Sequence, residues 1–500
     1  MIATFDGKPV WVPATTVAIL ERAAAERPDA TALVCGDETL TYRAYLDRVL
    51  IVAGALVARG ANGRHVAIVL PNGIDIAVAI FAAQAAGAAS ASLNPDYTRG
   101  ELSKLLTRID PAVTITSSEL AGSLKTLAQD ADTVMTVREL ASDRSTTSPL
   151  GLTPDSIAVL QFTGGTTGVP KAAMLSHRAV ATNVAQREAV LPTMPGDERI
   201  VCMMPLYHSF AAAMCLHLAA YAGGALHILP RYRPDWVMDC IAKHSITRLP
   251  AGPTVFNSLL GFDGLKRDAL ASVRCAYSGS APLALDTLDR WHQRTGVPIY
   301  EGYGQSEAGP ILTYHGPNMK LKQGSVGPPL AETQVAIAGG QKVGEIIARG
   351  PQIMNGYLNS RAATIATLVD GWLYTGDIGR MDEQGYVFIE DRKKDMAIVG
   401  GFNVYPREID EALMSLPAVS ESGTIGVPDP YRGEVIWSFV SGDATSEAVA
   451  AHCESRLVKY KRPTRIIVQP SLPKTNVGKI DKQALRTLAR TILESETRVA

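Results

Sequence analysis

Short apolar runs alternate with longer stretches of helical period over roughly the first 300 positions. Nearly every run breaks into a loop rich in Gly, Pro or polar residues. Residues 15–26 (TTVAILERAAAE) are amphipathic behind two hydroxyl residues suited to capping a helix. Residues 32–35 and 38–42 flank Gly36-Asp37 as a hairpin would. Helical spacing returns over 42–59. The apolar run 65–70 stops at Pro71-Asn72-Gly73, and a helix over 74–86, a strand over 89–93, a helix over 99–108 and a strand over 112–116 follow. The polar stretch 142–154 reads as a linker, 156–162 as a buried strand and 177–190 as a helix. From Ile200 the rhythm repeats, with runs at 200–204, 248–250, 273–277 and 298–300, each ending in a loop. Strands alternating with helices predict a mostly parallel sheet with helices on its faces. In such sheets ligand loops gather at the carboxyl ends of the strands.

One apolar stretch, 210–229, is long enough on length alone to cross a bilayer. Its His217, His227 and Gly223-Gly224 divide it instead into a buried helix and a strand over 225–229, so no membrane span is expected. After Gly324 the segments 335–337, 344–348 and 386–389 alternate and carry turn glycines, which predicts a smaller β-rich subdomain. The charge run Asp391-Arg392-Lys393-Lys394-Asp395 leads into a Gly-broken apolar stretch over 397–404, a helix over 406–416, strands over 423–427 and 434–441, and a helix over 446–457. The expected fold class is therefore α/β. A large N-terminal domain of mixed and parallel sheets with flanking helices and a β-rich subdomain spans 1–393. A small mobile α+β C-terminal domain spans 394–500, with a loose tail after about Leu493.

Length and composition narrow the function. A chain of 500 residues holds two or more domains with large cores. Its net charge of −1 offers no footprint for nucleic acid or an anionic membrane. The six cysteines are scattered without CxxC or His-cluster spacing, which points to a reducing cytoplasm rather than a metal site. The opening MIATFDGKPVWVP lacks the basic and apolar regions of a signal peptide.

The candidate chemistry centres on residues 163–171, TGGTTGVPK. Glycines free the backbone to turn successive N–H groups inward around an anion. The threonine hydroxyls add donors, and Lys171 adds a full charge. A strand that delivers such a loop suits phosphate binding. It is not a Walker loop, because no Gly-Lys-Ser/Thr follows the spacing.

With the motifs that follow it in order, this loop identifies a family. The chain resembles the adenylate-forming superfamily, and within it the acyl-CoA synthetases and aryl-CoA ligases. TGGTTGVPK matches the family phosphate loop, with Gly164 where Ser is commoner. Tyr303-Gly304-Gln305-Ser306-Glu307 matches Tyr-Gly-x-Thr-Glu, with Ser306 for Thr. Tyr374-Thr375-Gly376-Asp377, the 391–395 run and 473–479 (PKTNVGK) match the ribose, hinge and terminal-lysine motifs.

The resemblance implies a two-step reaction. A carboxylate attacks the α-phosphate of Mg·ATP to give acyl-AMP and pyrophosphate. The small domain then rotates, and the CoA thiol takes the acyl group. It also implies roles. Thr163, Gly164, Gly165, Thr166, Thr167, Gly168 and Lys171 grip phosphates. Glu307, with Thr167, holds Mg2+, and Ser306 meets a phosphate oxygen. Tyr303, beside Gly302, Gly304 and Gln305, stacks on adenine opposite Ser280, Ala281 and Pro282. Asp377 and Arg392 take the ribose. Lys479 bridges the repelling carboxylate and α-phosphate, and Lys394 is the hinge. Tyr207, His208, Ser209 and Phe210, with Gly252 and Gly279, line the acyl pocket and its gate, while Gly400 and Gly401 admit the pantetheine arm. The pocket residues suit an aromatic or a medium-length aliphatic acid. Two other readings stay open here: an adenylation enzyme that loads a carrier-protein phosphopantetheine, and a non-catalytic nucleotide-binding relative. A homodimer is compatible with all of them.

Overall fold

The structure, a computed structural model, describes residues 1–5, 7–143, 147, 152–163, 170–400, 402–475 and 478–499. Two large sheets build the N-terminal body. In the first, the strands run in the order Ile311–Tyr314, Ile299–Gly304, Cys275–Ser278, Arg248–Ala251, Arg199–Cys202, Ala225–Ile228, Thr31–Cys35, Glu38–Thr41. Only its two outermost pairs are antiparallel. The second places Ala89–Ser92, His65–Val69, Val113–Thr116 and Val134–Met135 in parallel behind the antiparallel pair Lys171–Ser176 and Ile157–Thr163.

Helices Thr16–Glu26, Tyr42–Ala58 and Ile74–Ala85 carry much of the largest core. The last is apolar on every side and buries all its residues except Asp75, as an interior helix must. Thr15 caps the first helix, its side chain accepting from the Ala18 N–H as its position predicts. The apolar stretch resolves into helical turns from Ser209 to Ala222, closed by Gly223 at φ 59°, and the strand Ala225–Ile228. The middle turn, Ala212–His217, is π-helical. No helix among the described residues is long and apolar enough to cross a membrane.

A β-rich unit follows, with Gln334–Ile337, Gly344–Arg349, Trp372–Met381 and Val387–Arg392 in one antiparallel sheet. The small C-terminal unit wraps two helices, Pro406–Met414 and Ser446–Arg456, on a sheet centred on the long hairpin Val419–Asp429 and Gly433–Gly442.

The helix expected over 177–190 is present as His177–Val190. Ahead of it lies a strand that the sequence did not announce, Lys171–Ser176, paired antiparallel with Ile157–Thr163. One expectation needs correction. The tail is not loose after Leu493, since one helix runs Lys482–Val499. Leu485 and Ala489 on that helix are buried in a cluster with Trp437, Phe439 and Leu472, and this contact orders the segment.

Candidate active site

Adjacent strands of the β-rich sheet place Asp377 directly opposite Arg392. Arg392 Nε lies 3.2 Å from Asp377 Oδ1. The Tyr303 hydroxyl, from the end of Ile299–Gly304, donates to Asp377 Oδ2 at 2.7 Å. Burial raises the pKa of Asp377, and Arg392, Tyr303 and Lys479 all work against that rise. Three segments remote in sequence thus converge on one carboxylate.

The fourth arrives from the C-terminal unit. Residues 473–475 and 478–481 are drawn together: Thr475 N–H donates to the Lys479 carbonyl at 2.7 Å and Asp481 N–H to the Pro473 carbonyl at 2.8 Å. Gly478 sits at φ 78°, and a Cβ there would lie 3.2 Å from Thr254 Oγ1 of the N-terminal body. The loop is therefore docked over the cleft. Burial and Arg392 pull the Lys479 ammonium down to about 8, while Asp377 holds it up. Its charge also reaches His208. Burial, helped by Lys479, drives His208 down to about 3, so the imidazole is neutral near pH 7. Its Nδ1 accepts from the Phe210 N–H at 3.3 Å and caps the turn that follows.

The phosphate end is built on the hairpin. Lys171 pairs with Thr163 across it, and Gly164, Gly165, Thr166, Thr167 and Gly168 lie outside the described residues. Lys171 Nζ stands 5.2 Å from the centroid of the Tyr357 ring. Glu307 is 9% exposed, and its Oε1 accepts from the Tyr357 hydroxyl at 2.8 Å. Ser306 Oγ lies 3.5 Å from Ser209 Oγ, which joins the 205–210 loop to this motif. The Gln305 carbonyl accepts from Ala308 N–H and turns Glu307 inward.

The wall around Phe210 and Tyr314 uses its glycines for close packing. A Cβ at Gly279 would lie 2.6 Å from the Phe210 ring, and one at Gly302 would lie 2.0 Å from the Tyr314 ring. Gly252 faces the Gly279 carbonyl and Met204 Sδ, each 4.0 Å from its ideal Cβ. Tyr207 accepts from Gln161 Nε2 at its carbonyl, 3.4 Å away. Ser280, at φ 70°, leads into Ala281 and the exposed Pro282. Tyr314 is buried and has no room to retreat, so Gly302→Ala should destabilise the chain by about 1–3 kcal/mol, measured by urea unfolding.

Two expected residues, Gly400 and Lys394, are exposed. Gly400 sits in an exposed turn at φ 58°, its N–H bonded to the Arg432 carbonyl, and Gly401 lies outside the described residues. Lys394 is exposed beside the buried Asp395, which Arg486 holds at 2.6 Å.

Sequence reasoning missed two residues. Tyr357 follows a glycine in Asn355-Gly356-Tyr357-Leu358, which carries no signal of its own. Glu301 stands just before the Gly302-Tyr303 motif. Burial lifts its carboxyl to about 7, against the pull of Arg407. Among the described residues no cluster of three His, Cys, Asp or Glu forms a metal cage. A single buried carboxylate fits Mg2+ that takes its remaining oxygens from phosphates and water.

A body with ligand loops at its strand ends and a small unit that lends a lysine to the same cleft defines a nucleotide-activating enzyme with a lid. Residues 20–358 match the family model described as AMP-binding enzyme, and 408–479 match its C-terminal domain. A long-chain-fatty-acid–CoA ligase of Bacillus subtilis is 35% identical over 97% of this chain and 95% of its own. The structure of ATP-bound MatB from Rhodopseudomonas palustris is similar at TM-score 0.90 and 29% identity, covering 96% of this chain and 99% of that one. The apo form of MatB gives 0.80. The o-succinylbenzoate CoA synthetase of Bacillus subtilis, solved with its acyl-adenylate, gives 0.85 at 27% identity over 94% of this chain and 97% of its own. The chain belongs to the AMP-binding enzyme family, the adenylate-forming superfamily, and within it to the acyl-CoA synthetases and aryl-CoA ligases.

Proposed function

We propose that this cleft activates a fatty or aromatic acid with ATP as acyl-AMP, releasing pyrophosphate, and passes the acyl group to the thiol of CoA. The observation that carries the reading is Lys479, brought from the C-terminal unit into a buried space beside Asp377 and Arg392. A carboxylate approaching an α-phosphate is repelled. An ammonium fixed between them offsets that repulsion and stabilises the charge that grows in the transition state. Asp377 is the acceptor for the vicinal ribose hydroxyls, with Arg392 donating beside it. Tyr303 faces adenine, with Ser280, Ala281 and Pro282 opposite. Lys171 and Thr163, with the loop between them, hold the β- and γ-phosphates. Glu307 holds Mg2+, which when bound neutralises phosphate charge, and Ser306 meets a phosphate oxygen. His208, Tyr207, Ser209, Phe210, Gly252 and Gly279 bound the acyl pocket.

In this arrangement Lys479 serves the first step, lodged beside Asp377 and Arg392. Residues from 394 onward therefore turn about Lys394 for the second step, withdrawing Lys479 and bringing the Gly400 turn inward. A few residues at element ends commonly absorb such a rotation. Six free thiols, five of them buried, support a reducing cytoplasm as the compartment. The test is a panel of aromatic and graded aliphatic acids given ATP, Mg2+ and CoA, read as AMP, pyrophosphate and thioester. No product from any acid would reject the reading.

A pH dependence follows from Lys479. Its folded pKa is depressed, so the working ammonium is lost as pH rises through about 8. The kcat/KM of pyrophosphate exchange, which reports the free enzyme, should fall above that pH. The limb in kcat should lie higher, because bound phosphates favour the charged form. Thioester formation from supplied acyl-AMP should lack this limb.

A further inference from the structure

We propose that Tyr357 is a positioning residue that holds the Glu307 carboxylate and the Lys171 ammonium apart, leaving the first free for Mg2+ and the second for phosphate. The inference rests on the nucleotide reading above and deepens it. The tyrosine meets both groups at once. Its hydroxyl donates to Glu307 Oε1 at 2.8 Å, and its ring lies 5.2 Å beneath Lys171 Nζ. A buried carboxylate needs a hydrogen-bond partner. A neutral hydroxyl satisfies it without cancelling its charge, as a lysine would. A π face likewise steadies an ammonium without neutralising it. Among the described residues Lys171 makes no ion pair within 4.0 Å.

The backbone explains how one side chain reaches both. Residues 354–358 run beside the strand that begins at Lys171. Met174 N–H donates to the Gly356 carbonyl at 2.9 Å, Asn355 N–H to Met174 at 2.8 Å and Leu358 N–H to Ala172 at 2.9 Å. Met354 N–H donates to the Glu307 carbonyl at 2.9 Å. The same segment thus grips Glu307 at its backbone and at its carboxylate, while flanking the phosphate hairpin.

The test is equilibrium binding of a fluorescent ATP analogue to the full chain, in EDTA and across a Mg2+ titration. Tyr357→Phe keeps the ring and loses the hydroxyl. It should bind the nucleotide in EDTA as the wild type does, yet need about tenfold more Mg2+ for half-maximal enhancement. Tyr357→Leu also loses the ring, so Lys171 can fall onto Glu307, and binding in EDTA should weaken about fivefold. In a Glu307→Gln background, Tyr357→Phe should leave the Mg2+ dependence unchanged. An effect that persists there would mean that the hydroxyl acts by a route other than the Glu307 carboxylate, and that result would overturn the proposal. A wild-type Mg2+ titration for Tyr357→Phe overturns it as well. If Tyr357→Leu melts early, the Phe variant and the double variant decide alone. A wild-type chain that shows no Mg2+-dependent nucleotide binding rejects the nucleotide reading itself, a separate outcome.

Discussion

Lys479→Ala should cut pyrophosphate exchange by roughly 10²–10³-fold or more, the scale on which removal of one preorganised charge acts. Conversion of supplied acyl-AMP and CoA to thioester should stay near the wild-type rate. The asymmetry follows from where the lysine sits. It is lodged with Asp377 and Arg392 in the docked arrangement, on a loop that belongs to the unit proposed to rotate away. Folding should not explain the loss. Burial and Arg392 disfavour the ammonium, so its cost to stability is fully present below about pH 8 and fades towards the ordinary lysine range as pH rises. Removing it relieves that cost, and the melting temperature at pH 7 should hold or rise. Lys479→Arg should not rescue, because a planar fork cannot present a compact charge at the same point. Equal loss in both half-reactions would remove the role given to Lys479.

Local pattern carried the body of this fold. Helices over 74–86 and 177–190 and the strands at 65–70 and 89–93 were legible because each is a short segment bounded by Pro, Gly or a hydroxyl cap. The motif residues were legible because each motif is contiguous. What escaped depends on partners far away in the chain. Lys171–Ser176 (KAAMLS) shows no clean alternation, and only its pairing with Ile157–Thr163 makes it a strand. The segment Lys482–Val499 is charged enough to pass for a solvated tail until Leu485 and Ala489 find the hairpin core. Tyr357 touches Glu307 and Lys171, residues of two other segments, so no spacing could announce it. The Asp377–Arg392 pair was legible as two motifs but not as one contact, because strand register fixes it. The same holds for the docking of Lys479, where the orientation of one unit on another sets the distance.

Asp377→Asn is the substitution that tests this convergence. The carboxylate balances two cations, Arg392 at 3.2 Å and the Lys479 ammonium, and accepts from Tyr303 at 2.7 Å. Asparagine keeps the shape and an oxygen for the tyrosine, but leaves Arg392 and Lys479 facing each other without a counter-charge. Half of the Arg392 side chain is solvent-exposed, so the stability loss should be modest, about 1–2 kcal/mol by urea unfolding. The nucleotide should feel it more, with the KM for ATP rising roughly 10²-fold, since a charged acceptor for two ribose hydroxyls becomes a neutral one. A second effect reads the coupling directly. Asp377 raises the Lys479 pKa against burial and Arg392. Without it the ammonium is lost at lower pH, so the alkaline limb of kcat/KM for pyrophosphate exchange should move below 8. A binding defect alone would lower the whole profile without shifting it. A limb that stayed in place while the KM rose would mean that Asp377 serves the ribose but does not share a field with Lys479. The cleft would then be two adjoining sites rather than one.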